Sequence, residues 1–314
     1  MRPTVAVTGA TGFIGPHVVR RLSQDGWQVR VLTRRTVERS LIAPSIERVH
    51  GSLDDEGSLR RLLDGADAVV HVAGLIRART REAFFQANAE GVRRLVALAA
   101  GRPSPPRFVL MSSLAAREPA LSDYAASKRA GEAALIAAGD GLPWTILRPP
   151  AVYGPGDRAT LFFFRCVRHG IGPLLGAKGA RLSLLHVEDL AGAVGSVLSS
   201  DRSAGLVAEL DDGRPGGHSW PEMVDVAAQQ FGRRAHVLRV PMALAYSLGL
   251  LNAGLARLPG YTPMLTPGKV RELYHPNWVC DGTAIMDKTS WRAIVPIEQG
   301  FASTIAWYRQ AGWL

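Results

Sequence analysis

Short apolar runs alternate with stretches whose apolar residues recur every three or four positions along the first 150 residues of this chain. Thr4-Val5-Ala6-Val7 reads as a buried strand, and beyond a glycine-rich turn a helix is expected from about Phe13 to Gln24. Val29-Arg30-Val31-Leu32 follows as a second strand, and Val49 with its flanks as a weak third. A helix carrying Leu59, Leu62 and Leu63 leads into a fourth strand, Ala68-Val69-Val70-His71-Val72. A long helix from about Phe84 to Ala100 precedes the fifth, Phe108-Val109-Leu110-Met111. Another helix, Tyr124 to Ala138, precedes the sixth, Trp144-Thr145-Ile146-Leu147. Strands and helices in this rhythm predict an α/β fold with a doubly wound parallel sheet, covered on both faces and joined by right-handed crossovers.

After Pro149-Pro150 the rhythm loosens and glycine and proline become frequent, as in Gly154-Pro155-Gly156 and Pro215-Gly216-Gly217. The expected organisation is a sheet domain over residues 1–150 and a smaller C-terminal domain built mainly from 151–314. A strand near Leu182 to Val187 and a helix from Asp189 to Leu198 are expected to rejoin the main sheet, so that about 182–200 belongs to the first domain.

Composition narrows the setting. Two cysteines, Cys166 and Cys280, make no disulfide framework and no zinc site, and no metal is expected. A reducing cytoplasm suits this, with no secretory signal pattern at the N-terminus and no apolar run of the roughly 20 residues that span a bilayer. The nearest approach is Pro241 to Ala256, uncharged but interrupted by Ser247, Asn252 and two glycines, and bounded by Arg239 and Arg257. The net charge of +10 comes almost wholly from arginine, since only four of the 37 basic residues are lysines. These arginines are scattered rather than interleaved with aromatics, which argues against a nucleic-acid partner.

Candidate chemistry begins at Thr8-Gly9-Ala10-Thr11-Gly12-Phe13-Ile14-Gly15, between the first strand and the first helix. Glycines there let backbone amides approach a pyrophosphate, and the helix N-terminus adds oriented N–H groups. Pro16 is tolerable because a first-turn proline gives up no intrahelical bond. At the end of the second strand, where a carboxylate would hold a ribose 2′-hydroxyl, the chain reads Leu32-Thr33-Arg34-Arg35, with no acid before Glu38. Two guanidiniums suit a 2′-phosphate, so NADP(H) is expected over NAD(H).

Ser112-Ser113 closes the fifth strand, and Tyr124-Ala125-Ala126-Ser127-Lys128 opens the next helix. A spacing of four places Tyr124 and Lys128 on one helical face, where the ammonium favours the phenolate and tunes the phenol for proton transfer. A hydroxyl at the strand end can hold a substrate oxygen beside it.

Together with His71-Val72-Ala73-Gly74, Asn88, Arg148-Pro149-Pro150-Ala151-Val152-Tyr153-Gly154-Pro155, His186-Val187-Glu188-Asp189-Leu190 and the tail Trp307-Tyr308-Arg309-Gln310-Ala311-Gly312-Trp313-Leu314, these motifs resemble the extended short-chain dehydrogenase/reductase family over the whole chain. The resemblance implies a Rossmann fold with a smaller substrate-binding domain. Tyr124 would be the general acid/base, Lys128 would bind the nicotinamide ribose, and Ser113, or alternatively Ser112, would polarise the substrate oxygen. It places the cofactor against Gly9, Thr11, Gly12, Phe13, Ile14, Gly15, Arg34, Arg35, Ser52, Leu53, Ala73, Gly74, Asn88, Lys128 and Pro149. Asn88 has two readings, a backbone kink or relay water and simple helical packing. Asp189 reads as a helix N-cap and His186 as a strand-end structural residue.

Sugar-nucleotide epimerases and dehydratases of the family carry an asparagine where this chain has Pro150, and a Val-Tyr-Gly segment where it has Leu114-Ala115-Ala116-Arg117. These departures turn the expectation toward reductases resembling the 3β-hydroxysteroid dehydrogenase and dihydroflavonol types. The reaction would be hydride transfer between NADP(H) and a carbonyl or secondary alcohol of a hydrophobic, steroid- or isoprenoid-like small molecule. A sugar-nucleotide epimerase or dehydratase is the alternative within enzymes, and a non-catalytic NADPH-binding accessory subunit the alternative outside them. The leucines of 242–255 are open to three readings: core, pocket lining or a peripheral membrane-surface contact. A homodimer through the long helices is a family expectation.

Overall fold

The computed structural model describes residues 2–34, 46–256 and 261–314. Two compact units emerge. The first comprises Met1–Arg148, Leu190–Glu209 and Gly282–Trp291, and the second Pro149–Asp189, Leu210–Asp281 and Arg292–Leu314.

The first unit is organised by a seven-stranded sheet. Its strands are β1 (Thr4–Thr8), β2 (Gln28–Thr33), β3 (Glu47–His50), β4 (Ala68–His71), β5 (Arg107–Met111), β6 (Trp144–Arg148) and β7 (Leu206–Glu209). They lie in the order β7-β6-β5-β4-β1-β2-β3, and every pairing is parallel. Such a sheet needs apolar residues on both faces. Register supplies them. Ala6, Leu32, Val49, Val69, Phe108, Leu110 and Ile146 share one face with Leu59, Leu62, Val92, Leu95 and Leu135 of the covering helices. The alternate positions Val5, Val7, Val31, Val70 and Val109 are buried as fully on the other.

The helices of this unit include α1 (Gly15–Gln24), α2 (Glu56–Leu63), α3 (three consecutive segments, Arg81–Phe85, Gln86–Glu90 and Gly91–Ala100), α4 (Asp123–Ile136) and α5 (Val187–Leu198), which belongs to it from Leu190 on. Asp55, Thr80 and Ser122 start α2, α3 and α4 by accepting the backbone N–H three residues on. The middle segment of α3 is a π turn.

Two expectations change here. The strand expected near Leu182 to Val187 does not join the main sheet. Leu184–His186 pairs with Ala151–Tyr153, while Arg181–Leu182 pairs with His218–Ser219 and Asn277–Trp278. The seventh strand is Leu206–Glu209, whose Leu-Val-Ala-Glu is too short to show a period. Asp189 caps no helix of its own, because α5 already begins at Val187. Its carboxylate instead accepts Ile294 N–H at 3.0 Å and Val295 N–H at 3.1 Å, and burial raises its pKa.

The second unit packs around aromatic rings. Phe301 meets Tyr153, Phe164 and Phe163 edge to face, with centroids 5.2, 5.0 and 6.3 Å away. Tyr308, fully buried, donates to Asp157 O at 2.6 Å and stacks on Trp313 at 5.7 Å. Tyr153 and Tyr308, both in family-like motifs of the sequence, are thus packing residues here. Gly300 permits the tightest approach, since a β-carbon there would lie 2.2 Å from the Tyr153 hydroxyl.

Candidate active site

In a parallel sheet every strand ends on the same edge, and a neighbouring pair whose helices leave in opposite directions opens a crevice there. β1 lies between β2 and β4, so the glycine loop leaves the sheet at this point. Gly9 adopts φ +75°, and a β-carbon on it would sit 2.4 Å from Ala73 N. Gly15 meets Gly9 O just as closely, with a β-carbon predicted at 2.2 Å, whereas Gly12 has only Gly9 O at 3.5 Å and is exposed. The turn is folded tightly on its inner side and left bare on its outer side. No side chain caps the start of α1, so its first amides point to the same bare space. That combination fits a dinucleotide pyrophosphate. Thr11 is exposed there, with Phe13 and Ile14 half-buried.

β4 contributes the next part. Thr8 Oγ1 accepts Ala73 N–H at 3.3 Å and shares a hydrogen bond with His71 Nδ1 at 2.8 Å, which ties the exits of β1 and β4 together. Burial, with the charge of Lys128 as a second cause, pushes His71 down to about 3, so it stays neutral. Gly74 lies beyond, exposed, where a β-carbon would come 3.0 Å from Asn88 Oδ1 and 3.5 Å from Lys128 Nζ. Arg34 is exposed just past β2, and Gly51, just past β3, donates its N–H to Thr33 O at 3.0 Å. Ser52 and Leu53 follow, half-buried. Arg35 and Glu38 lie outside the described residues.

The reaction helix is α4. Lys128 is buried and donates to Met111 O, the last carbonyl of β5, at 2.7 Å. Burial pushes its ammonium down to about 8, against the opposing pull of Glu132. Tyr124, one turn earlier, is half-buried with its ring 6.1 Å from that of Phe84. The two serines divide. Ser112 is buried and donates to Glu132 at 2.5 Å, while Glu132 also holds Arg148 through two bonds of 2.8 and 2.6 Å. Ser113 is half-exposed and accepts only Ala115 N–H, at 3.2 Å, as the cap of the short Leu114–Arg117 turn.

Asn88 sits in the π turn of α3 with its amide fully engaged. Its oxygen accepts Leu75 N–H at 2.8 Å, and its NH₂ donates to Leu75 O and Ser127 Oγ, each at 2.9 Å. Ser127 in turn donates to Tyr124 O at 2.7 Å. One side chain thus links the loop after β4 to the turn of α4 that carries Tyr124 and Lys128. Gly131 makes the approach fit, because a β-carbon there would lie 2.2 Å from Asn88 O. Neither Gly131 nor Glu132 drew notice in the sequence, since a helical Gly-Glu pair looks like a solvated turn. The structure therefore brings the glycine loop, Ala73, Gly74, Asn88, Ser112, Ser113, Tyr124 and Lys128 to one edge of the first unit. Pro149, buried and directly after β6, belongs to the second unit.

A strand–glycine loop–helix at the switch point, with a Tyr-x₃-Lys helix at the same edge, defines a nucleotide-dependent oxidoreductase of the short-chain dehydrogenase/reductase class. The family model described as "NAD dependent epimerase/dehydratase family" matches residues 5–206, and the chain belongs to that family. It is an NAD(P)-dependent enzyme of the extended short-chain type. The chain is 42% identical to the ceramide reductase of Caulobacter vibrioides over 315 residues, covering 100% of this chain and 96% of the relative. It is 33% identical to sterol demethylase protein B of Methylococcus capsulatus over 175 residues, 49% of this chain and 53% of the relative. Among solved structures, MoeE5 in complex with UDP-glucuronic acid and NAD shares the fold at a TM-score of 0.73 and 24% identity, covering 98% of this chain and 99% of that one. Among the described residues, no helix is long and apolar enough to cross a membrane.

Proposed function

We propose that this enzyme reduces a ketone on a ceramide-class lipid, using NADPH. The observation that carries the reading is a complete serine–tyrosine–lysine set at the sheet edge of a chain that matches a ceramide reductase end to end. The amide carbonyl of such a lipid is resonance-stabilised and too poor an electrophile for a nicotinamide. The reducible group is then a ketone standing where the sphingoid base carries its secondary hydroxyl. Within the expected hydrophobic, steroid- or isoprenoid-like class, the end-to-end match to a ceramide reductase favours a long-chain lipid.

The bound nicotinamide supplies the hydride. Tyr124 donates a proton to the carbonyl oxygen as charge develops there, and the Ser113 hydroxyl holds that oxygen by a hydrogen bond. Ser113 rather than Ser112 takes this role because the Ser112 proton is committed to Glu132. Lys128 keeps a positive charge one helical turn from the phenol, favouring its ionised form, and holds the ribose. Asn88 fixes the Leu75 backbone against Ser127 and so holds the turn that carries both groups. Gly9, Thr11, Gly12, Phe13, Ile14 and Gly15 cradle the pyrophosphate. Ser52, Leu53, Ala73 and Gly74 line the adenosine and ribose side, Pro149 the nicotinamide side, and Arg34 with Arg35 selects the 2′-phosphate. Pro150, where epimerases of the family carry asparagine, removes the amide that would meet a sugar nucleotide.

The test is NADPH consumption by the purified chain with the ketone analogue of an N-acylsphinganine, against UDP-glucose as control. Equimolar lipid alcohol and NADP are expected with the first and no reaction with the second. Tyr124→Phe should lower turnover by roughly 10²–10⁴-fold while NADPH binding is retained. Interconversion of UDP-sugars without lipid reduction would replace this reading with an epimerase.

A further inference from the structure

Helix Met242–Leu255 in the second unit contains no charged residue, yet most of it faces solvent. Leu244, Leu248, Leu251 and Leu255 recur at i, i+4, i+7 and i+11 as a single stripe, each at least 48% exposed and Leu251 69%. Met242 and Leu250 widen that stripe, at 45% and 54%. Only Ala245 and Gly249 are buried, where the helix meets Thr266 and helix Pro267–Leu273. Asn252 continues this inner line, donating to Leu265 O at 2.8 Å and accepting from the Tyr261 hydroxyl. Tyr261 and Met264 are themselves 39% and 46% exposed, and Val237 and Leu238 of the preceding strand 43% and 59%.

The charge along the chain on either side of this helix is one-sided. Residues 226–271 contain no Asp or Glu, although the chain as a whole has 27, and they contain six Lys or Arg. Arg233, Arg234 and Arg239 are all exposed. The first acid beyond, Glu272, is buried and bound to Lys269 at 2.8 Å.

We infer that helix Met242–Leu255 docks the enzyme on an anionic phospholipid bilayer, its leucines among the acyl chains and the arginines of the flanking chain at the headgroups. At about 1.5 Å per residue the helix is roughly 21 Å long, short of the roughly 30 Å hydrocarbon core, so it lies in the interface and does not cross. Bilayer hydrocarbon accepts an apolar stripe without a complementary groove, and anionic headgroups complement flanking segments that carry exposed arginines and no acid between residues 226 and 271. A second copy of the chain would bring the same arginines face to face, which disfavours it.

The experiment is sedimentation of the full chain with vesicles of phosphatidylcholine, or of phosphatidylcholine with phosphatidylglycerol. No substrate is present, so the outcome stands apart from the reductase assignment. Uptake by the anionic vesicles is expected, falling roughly tenfold or more in Leu248→Glu/Leu251→Glu and falling with added salt in the wild type. Both substituted positions are exposed, and an unchanged circular dichroism spectrum with an unchanged thermal unfolding midpoint shows that the variant is folded. Three results would each overturn the assignment: no uptake of the wild type, equal uptake by neutral vesicles with no salt dependence, and uptake undiminished in the double variant. A wild-type dimer that the variant breaks, with no vesicle uptake, would assign the face to a second copy instead.

Discussion

Around Val5, Ala6 and Val7 the interior is aliphatic and layered, and each buried residue faces a neighbour fixed by strand register. Around Phe301 it is aromatic, and rings from three distant stretches of chain meet edge to face without a shared sheet. The difference extends to polar groups. The first unit buries a charged brace, Arg148 on Glu132 with Ser112, beneath its functional edge. The second buries backbone-directed acids, Asp157 and Asp189, that hold loops. Register repeats along a sheet, so the first unit can place many loops at one edge. Ring packing has no repeat, and the second unit is correspondingly specific to its own contacts.

This contrast can be broken experimentally. Phe301→Ala removes the hub of the aromatic cluster and should cost about 3–5 kcal/mol. Hydrogen exchange should accelerate in Trp220–Gln230 and Ile297–Gln310 while the amides of β1, β4 and β5 keep their protection. Equal acceleration in both units would mean that they share one cooperative core. Glu132→Gln should cost about 3 kcal/mol by stranding Arg148, measured by urea unfolding. An effect below about 0.5 kcal/mol would show that the brace is solvated.

Two smaller effects sharpen the site itself. Arg34→Ala should weaken NADPH binding by roughly tenfold and leave NADH nearly unchanged, since charge-assisted bonds to a phosphate contribute about 1.5–3 kcal/mol. Equal losses for both would overturn the NADP preference. Lys128 titrates at about 8 in the folded chain but near its ordinary 10.5 when unfolded. Between those values the unfolded state binds more protons, so deprotonation favours the fold as pH rises. Wild type should therefore gain roughly 1 kcal/mol over Lys128→Met between pH 8 and pH 9, read from paired unfolding curves. A flat difference would mean that the ammonium is solvated.

Much of the first unit was legible because its information is local. Apolar runs mark strands buried on both faces, and glycines at 9, 12 and 15 mark a backbone approach. The Tyr124–Lys128 spacing survives as one turn of α4. What stayed hidden depended on distant partners. Leu206–Glu209 becomes a strand because β6 offers an edge, and Asp189 turns from its helix to amides more than a hundred residues away. Ser112 and Ser113 look equivalent in sequence, and only Glu132 on α4 separates them. The π turn at Asn88 likewise has no periodic signature that would distinguish it from α-helix.

Gly131 carries a consequence beyond the site. Its missing side chain is the gap through which α4 rests on the carbonyl of Asn88. A single methyl group there would push α4 from the π turn and loosen the clamp on Leu75 with it. Gly131→Ala alone therefore forces a shift in one of the two helices. A larger side chain at 131 needs a matching change in α3, so the bend in one helix and the bareness of the other form a single structural unit.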